Sequence, residues 1–207
     1  AVDHESGRVS GLVDGEQKLL FCREDLQIRG DFNLLNATTA AAAAIGMGIN
    51  PVELLAAVRS FTGVEHRLQS LGTHEGVEYF NDSIATTQES TIVALESLGP
   101  DVILICGGSS KGCGFSRLAE VAADKARHVI LTGETATEIE TALLELKENG
   151  PALTHAPDLA AALEEAIRLA KPGDRVLLSP ACPSYDQFRN FEERGRTFCE
   201  LISRRFN

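Results

Sequence analysis

Residues 77–98, VEYF-NDSIATT-QESTIVALESL, change hydrophobic period in the middle. Val77–Phe80 alternates apolar and polar side chains as a strand does, whereas Gln88–Leu98 spaces its apolar residues for one face of a helix. Between them lies the polar joint Asn81–Thr87. A strand, a polar turn and a helix in that order form half of a βαβ unit, in which ligands collect at the carboxyl end of the strand. Thr86 or Thr87 is placed to cap the helix, whose free N–H groups then face whatever binds there. The same residues also serve a plain turn, since Ser, Thr, Asp and Asn are preferred in turns and caps. The joint alone does not choose between the two readings.

The pattern repeats on both sides of the joint. Strand candidates are Leu68–Gly72, Val77–Phe80, Val102–Cys106, His128–Leu131, Ala152–His155 and Arg175–Leu178. Helices are expected at Gln88–Leu98, Phe115–Ala126, Glu134–Lys147, Asp158–Ala170 and Gln187–Arg204. Alternating strands and helices imply right-handed crossovers and a mainly parallel sheet covered on both faces, an α/β Rossmann-like domain. Upstream, Val9–Ile28 reads as short strands with a hairpin turn at Asp14-Gly15. Two helices follow, Asn33–Ile45 and Pro51–Phe61, the second with proline at its first position. This leading piece has little apolar surface of its own, so residues 1–63 are expected to be the trailing part of a larger domain and 64–207 a domain in themselves. The chain opens on Ala1-Val2-Asp3-His4, which suggests a fragment.

The 207 residues carry a formal charge of −11, with 43% hydrophobic and 24% charged residues. Such a surface repels a phosphate backbone and disfavours generic nucleic-acid binding, while a local basic pocket can still hold an anion. The longest apolar runs are strand-length, so no membrane span is expected. Five scattered cysteines (Cys22, Cys106, Cys113, Cys182, Cys199) and no CxxC pair point to reduced thiols. The five histidines have no metal-ligand spacing, and no metal site is expected from this chain alone.

In a parallel sheet the carboxyl-end loops share one edge. Here they are Asn81–Thr87, Cys106–Gly114 (CGGSSKGCG), Thr132–Glu134 and Ser179–Phe188 (SPACPSYDQF). The second offers glycines for close backbone approach and Lys111 as a cationic clamp for a carboxylate or phosphate, although it lacks the GxxxxGK[ST] order of a P-loop. Ser184 is a candidate cap for a helix starting at Gln187, or a donor to an anion there. No GxSxG elbow is present, which argues against a serine hydrolase. Asp186, Glu192, Glu193 and Arg194 read as a solvated helical face, and Phe188 and Phe191 as core contacts. His66-Arg67 sits where the two parts of the chain join, suited to a salt link or to an arginine over a nucleotide.

The strings RGDFNLLNA, FTGVEHR, YFNDSIATT, CGGSSKG and LLSPACPSYDQFRNFEERG occur in this order along nearly the whole chain. Together they resemble the second half of a Mur ligase, most closely the branch that adds D-glutamate; the DNPR-type signature of a sister branch is absent. The resemblance implies an ATP-dependent ligase of peptidoglycan, and hence of cell-wall, cell-shape and cell-division biology, working in the cytoplasm as a monomer. It implies three substrates, UDP-N-acetylmuramoyl-L-alanine, D-glutamate and ATP, with Mg2+, and no membrane or nucleic-acid partner. Residues 1–63 would end the central ATPase domain and 64–207 would form the C-terminal Rossmann-like domain. By motif position, Asn33, Arg67 and Asp82 would lie at ATP. Thr86, Lys111, Ser184 and Phe191 would surround D-glutamate, and His66 would shape the cleft. No catalytic residue is assigned within this stretch.

Three positions depart from the family pattern: Ile84 stands where it has Lys, Thr87 where it has Asn, and Phe32 where His precedes Asn33. One charge-assisted hydrogen bond lost is worth roughly 1.5–3 kcal/mol, tenfold or more in affinity. Either Lys111 compensates, or the amino acid differs, or the protein is an impaired paralogue or a non-catalytic binding module. The phosphate-binding loop of the family is not in these residues, so the chain alone is expected to be inactive. A folylpolyglutamate-synthase-like ligase fits the closing string less well.

Overall fold

The computed structural model describes every residue except His4, Cys113, Lys147, Glu148, Asn149 and Asn207. It divides into two compact units, Ala1–Gly63 and Val64–Asn207.

In the first unit β1 (Val2–Asp3), β2 (Arg8–Val13) and β3 (Glu16–Cys22) form a small antiparallel sheet, followed by α1 (Asp31–Gly46) and α2 (Pro51–Ser60). The hairpin turn falls on Asp14 and Gly15, both at positive φ (54° and 81°), the backbone that a two-residue turn of this hand needs. Pro51 opens α2, and the Asn50 side chain accepts from the Val52 N–H at 2.8 Å. The core is small, built on Val9, Leu20, Phe21, Leu34, Leu54 and their neighbours. Leu12, Leu35, Met47, Ile49 and Val52 remain exposed.

The second unit holds β4 (Gln69–His74), β5 (Val77–Asn81), α3 (Gln88–Leu98), β6 (Val102–Cys106), α4 (Ser116–Lys125), β7 (Ala126–Leu131), α5 (Ala136–Leu144), β8 (Ala152–His155), α6 (Leu159–Leu169), β9 (Arg175–Leu178) and α7 (Phe191–Phe206). The sheet order is β4-β5-β9-β6-β7-β8. Only the edge strand β4 runs antiparallel to its neighbour. The α/β, mainly parallel architecture expected from the sequence is therefore the one found.

Period-two alternation explains the layers. Val102, Leu104 and Cys106 of β6 pack on the α3, α4 and α5 side, while Ile103 and Ile105 pack on the α6 and α7 side. Every residue of β6 is buried, as a central strand covered on both faces requires. Truncating Leu104 to Ala would cost about 2–5 kcal/mol. No helix among the described residues is long and apolar enough to cross a membrane.

Two expectations need correction. The last helix begins at Phe191 and not at Gln187. Residues 184–188 form a turn in which the Gln187 and Phe188 N–H groups donate to the Ser184 carbonyl (3.1 and 2.7 Å), so Ser184 does not cap α7. Asn190 occupies that place, its Oδ1 accepting from Glu193 N–H at 2.8 Å. The helix expected at 134–147 runs from Ala136 to Leu144. Its expected end, Lys147, lies outside the described residues, as do His4 and Cys113.

Candidate functional site

The loops after β5, β6, β7 and β9 meet at the carboxyl edge of the sheet. After β9 the chain passes to the α7 face, whereas after its neighbours β5 and β6 it passes to the α3 and α4 face, which opens a crevice at that edge.

Glycines let these loops touch. A Cβ on Gly107 would lie 1.9 Å from the Thr132 carbonyl oxygen, and one on Gly108 would lie 2.2 Å from that of Pro183. The backbone contacts made possible are Ser109 N–H to Pro183 O (2.9 Å), Gly107 N–H to Pro180 O (2.8 Å) and Thr135 N–H to Gly108 O (3.0 Å). The Gly-rich string is thus a close-approach device between neighbouring loops.

The crevice contains a pocket of about 130 Å³ whose walls include Thr86, Gln88, Glu89, Ser109, Lys111 and Pro183. Lys111 Nζ donates to the Thr86 carbonyl at 3.3 Å, so these two residues, 25 apart in the chain, are brought together. Ser184 follows the wall residue Pro183 in the chain but is not itself part of the pocket lining. Its Oγ is buried and has no hydrogen-bond partner among the described residues. A buried hydroxyl left in this state marks a place where a ligand or water completes the bonding. Phe191 does not line this pocket; its ring stands edge-on to His66, with centroids 6.4 Å apart. Thr87 holds the cap position of α3, but its hydroxyl meets Ser90 Oγ at 3.3 Å and makes no cap bond.

Asp82 faces inward and is 5% exposed. Its Oδ1 accepts from Leu68 N–H (2.9 Å) and its Oδ2 from the Ser179 hydroxyl (2.7 Å), with Thr91 Oγ1 2.9 Å from the same hydroxyl. Burial pushes its carboxyl up to about 6, opposed by these hydrogen bonds and by the nearby Arg67 charge. Asp82 and Arg67 are therefore neighbours, and Asp82 pins the turn that carries the exposed Arg67. His66 is buried at positive φ, its Nδ1 3.0 Å from Asn81 Nδ2, and burial lowers its pKa. Gly195 makes room for it, since a Cβ there would lie 2.3 Å from His66 Nδ1. Asn33 lies in the first unit, near the start of α1, where its Nδ2 donates to the Arg29 carbonyl at 2.6 Å.

The sequence reading missed Arg194. Expected on a solvated face, it is 4% exposed. Its Nε donates to Ser83 Oγ (3.0 Å), and its Nη2 to the carbonyls of Ser83 (2.9 Å) and Cys182 (3.0 Å). Burial lowers its pKa to about 10. One guanidinium thus ties the loop after β5 to the loop after β9, using the planar donor fork that lysine lacks. Helical periodicity held the only hint: Phe198 and Ile202, four and eight residues on, share its buried face.

Residues 66–182 match the family domain described as "Mur ligase, glutamate ligase domain". The chain is 41% identical over 204 residues to a protein named UDP-N-acetylmuramoylalanine--D-glutamate ligase from Pseudomonas savastanoi pv. phaseolicola, covering 93% of this chain and 45% of that protein. A protein of the same name from Pelotomaculum thermopropionicum is 40% identical, with 95% and 43% covered. The chain thus spans less than half the length of these relatives. Among solved structures, UDP-N-acetylmuramate-alanine ligase MurC from Thermotoga maritima superposes with a TM-score of 0.66 at 19% identity, covering 95% of this chain and 45% of that one. A pseudomurein peptide ligase type C from Methanothermus fervidus gives 0.67 at 17%, covering 99% and 41%. At such identities the structural likeness speaks for the fold, and the matched domain for the lineage: the chain belongs to the Mur ligase family.

Proposed function

We propose that this chain is the C-terminal part of an ATP-dependent ligase that joins D-glutamate to UDP-N-acetylmuramoyl-L-alanine in peptidoglycan synthesis. The observation that carries this reading is the common name of relatives about 40% identical over more than nine-tenths of the chain. In this reading residues 1–63 close the central ATPase domain and 64–207 are the C-terminal domain, an assignment that agrees with two compact units meeting at Gly63 and Val64. The enzyme would act in the cytoplasm as a monomer.

In this reading ATP, as a substrate, would phosphorylate the nucleotide-sugar carboxylate with release of ADP, and the amine of the amino acid would displace phosphate from the acyl phosphate to form the amide. Magnesium would neutralise the phosphates, and no cluster of ligands for it stands among the described residues. The part proposed for this chain is positioning and charge stabilisation. Lys111 would pair with a substrate carboxylate, and Thr86 and the unpartnered Ser184 hydroxyl would donate to it. Phe191, which lies outside the pocket lining, is assigned to the amino acid by motif position alone. At the nucleotide edge Asn33 and the exposed Arg67 would contact ATP. Asp82 retains lone pairs for a ribose hydroxyl beyond the two hydrogen bonds it accepts, which suits that role. His66, packed between Asn81 and Gly195, would shape the cleft.

The test is D-glutamate-dependent ADP formation by the intact gene product, with L-glutamate and both aspartates in parallel. No turnover with any acidic amino acid would overturn the reading, and the 207-residue chain alone is expected to be inactive. Ile84 favours a second reading, a non-catalytic module that keeps the cleft for a nucleotide or small acid.

A further inference from the structure

We infer that Gln88 recognises the α-ammonium group of the amino-acid substrate, an assignment that rests on the pocket being the amino-acid site. Gln88 is the first residue of α3 and forms part of the pocket wall. Its Oε1 is shielded from solvent and has no hydrogen-bond partner among the described residues. A desolvated acceptor facing no donor is rare in native structures and calls for a partner that completes it.

The choice of partner follows from the inventory of the substrate. An acidic amino acid at neutral pH offers two carboxylates, which only accept, and one ammonium, which only donates. An amide oxygen repels the carboxylates and pairs with the ammonium alone. The pocket wall carries one charge of each sign that the ligand could pair with. Lys111 enters from the loop after β6, while Glu89 stands beside Gln88 on the first turn of α3, so cation and anion come from different elements. A zwitterion with a carboxylate on Lys111 would leave its ammonium for Gln88 and Glu89, the amide and the carboxylate of the pocket wall. That hold would orient the nitrogen that must attack. Turning the amide by half a rotation would instead present Nε2 to a carboxylate, and the experiment separates these arrangements.

Calorimetry on the 207-residue chain would compare D-glutamate with glutarate, the same dicarboxylate without the amine. Gln88→Met is expected to weaken D-glutamate at least ~tenfold, the size of a hydrogen bond to a charged group, and to leave glutarate within about twofold. Gln88→Glu, which places a charge opposite the ammonium, is expected to widen the preference for D-glutamate over glutarate. Equal losses for both ligands in Gln88→Met, or no loss for either, would overturn the assignment. If Lys111→Met abolishes binding of both while Gln88→Met spares both, the pocket stands and only the role of Gln88 falls. If the wild-type chain binds neither acid, the reading of the pocket falls and the assignment with it. An unchanged urea midpoint for Gln88→Met excludes misfolding as the source of any loss.

Discussion

Replacing Asp82 by Asn tests the buried carboxylate that ties the loop after β5 to Leu68 and Ser179. Burial raises its pKa from 3.8 to about 6, so the folded state holds the proton more tightly than the unfolded one. The stabilisation from protonation is then fully present below pH 3.8 and lost as pH rises through 6. At about 1.4 kcal/mol per pH unit the whole effect is about 3 kcal/mol, of which about 2 kcal/mol falls between pH 4.5 and 7. Asn keeps an acceptor for Leu68 N–H or the Ser179 hydroxyl, bonds of 2.9 and 2.7 Å in the wild type, and does not titrate. The stability of Asp82→Asn minus that of wild type should therefore move in favour of the variant by about 2 kcal/mol from pH 4.5 to 7, whatever its offset. Urea unfolding followed by tyrosine fluorescence suits the measurement, because the protein has no Trp and both tyrosines, Tyr79 and Tyr185, lie in the second unit. A difference that is flat across this range, or that moves the other way, would refute the claim that desolvation dominates the two hydrogen bonds.

Arg194→Met should lower the stability of the second unit by at least about 2 kcal/mol, because it leaves the buried Ser83 and Cys182 carbonyls without the donor they share; the same tyrosine-monitored urea midpoint reads it. Gly107→Ala should cost about 3 kcal/mol or more, since its Cβ would fall 1.9 Å from the Thr132 oxygen, whereas Gly112→Ala, also at positive φ but with open space around it, should cost about 1 kcal/mol. Similar midpoints for the two glycine variants would show that backbone conformation, and not loop contact, sets the cost. Ile84→Lys should strengthen D-glutamate binding about tenfold by calorimetry if the chain comes from a ligase that lacks this charge, and leave it unchanged in a repurposed module.

Most of the second unit was legible before any coordinates. Each expected strand overlaps one that is found, because a covered parallel sheet writes itself as short apolar runs such as Val102–Cys106 between amphipathic helices. The Asp14-Gly15 turn was equally plain, as few other pairs adopt positive φ twice in succession. The start of α7 was not, because the tract from Ser184 to Asn190 carries helix-like residues while its carbonyls and amides close a turn.

What the sequence by itself determined is local: period, turn chemistry and the residue types gathered on four loops, each a consequence of neighbours in the chain. Which of those side chains face ligand and which face protein was decided only by tertiary packing. The same carboxylate could have lain in water, yet Asp82 is sealed between β5, the turn at Leu68 and Ser179. The same arginine could have been a solvated helical charge, yet Arg194 ties two loops together. A charge changes its chemistry with its desolvation and partners, and both are set in part by segments about 100 residues away in the chain.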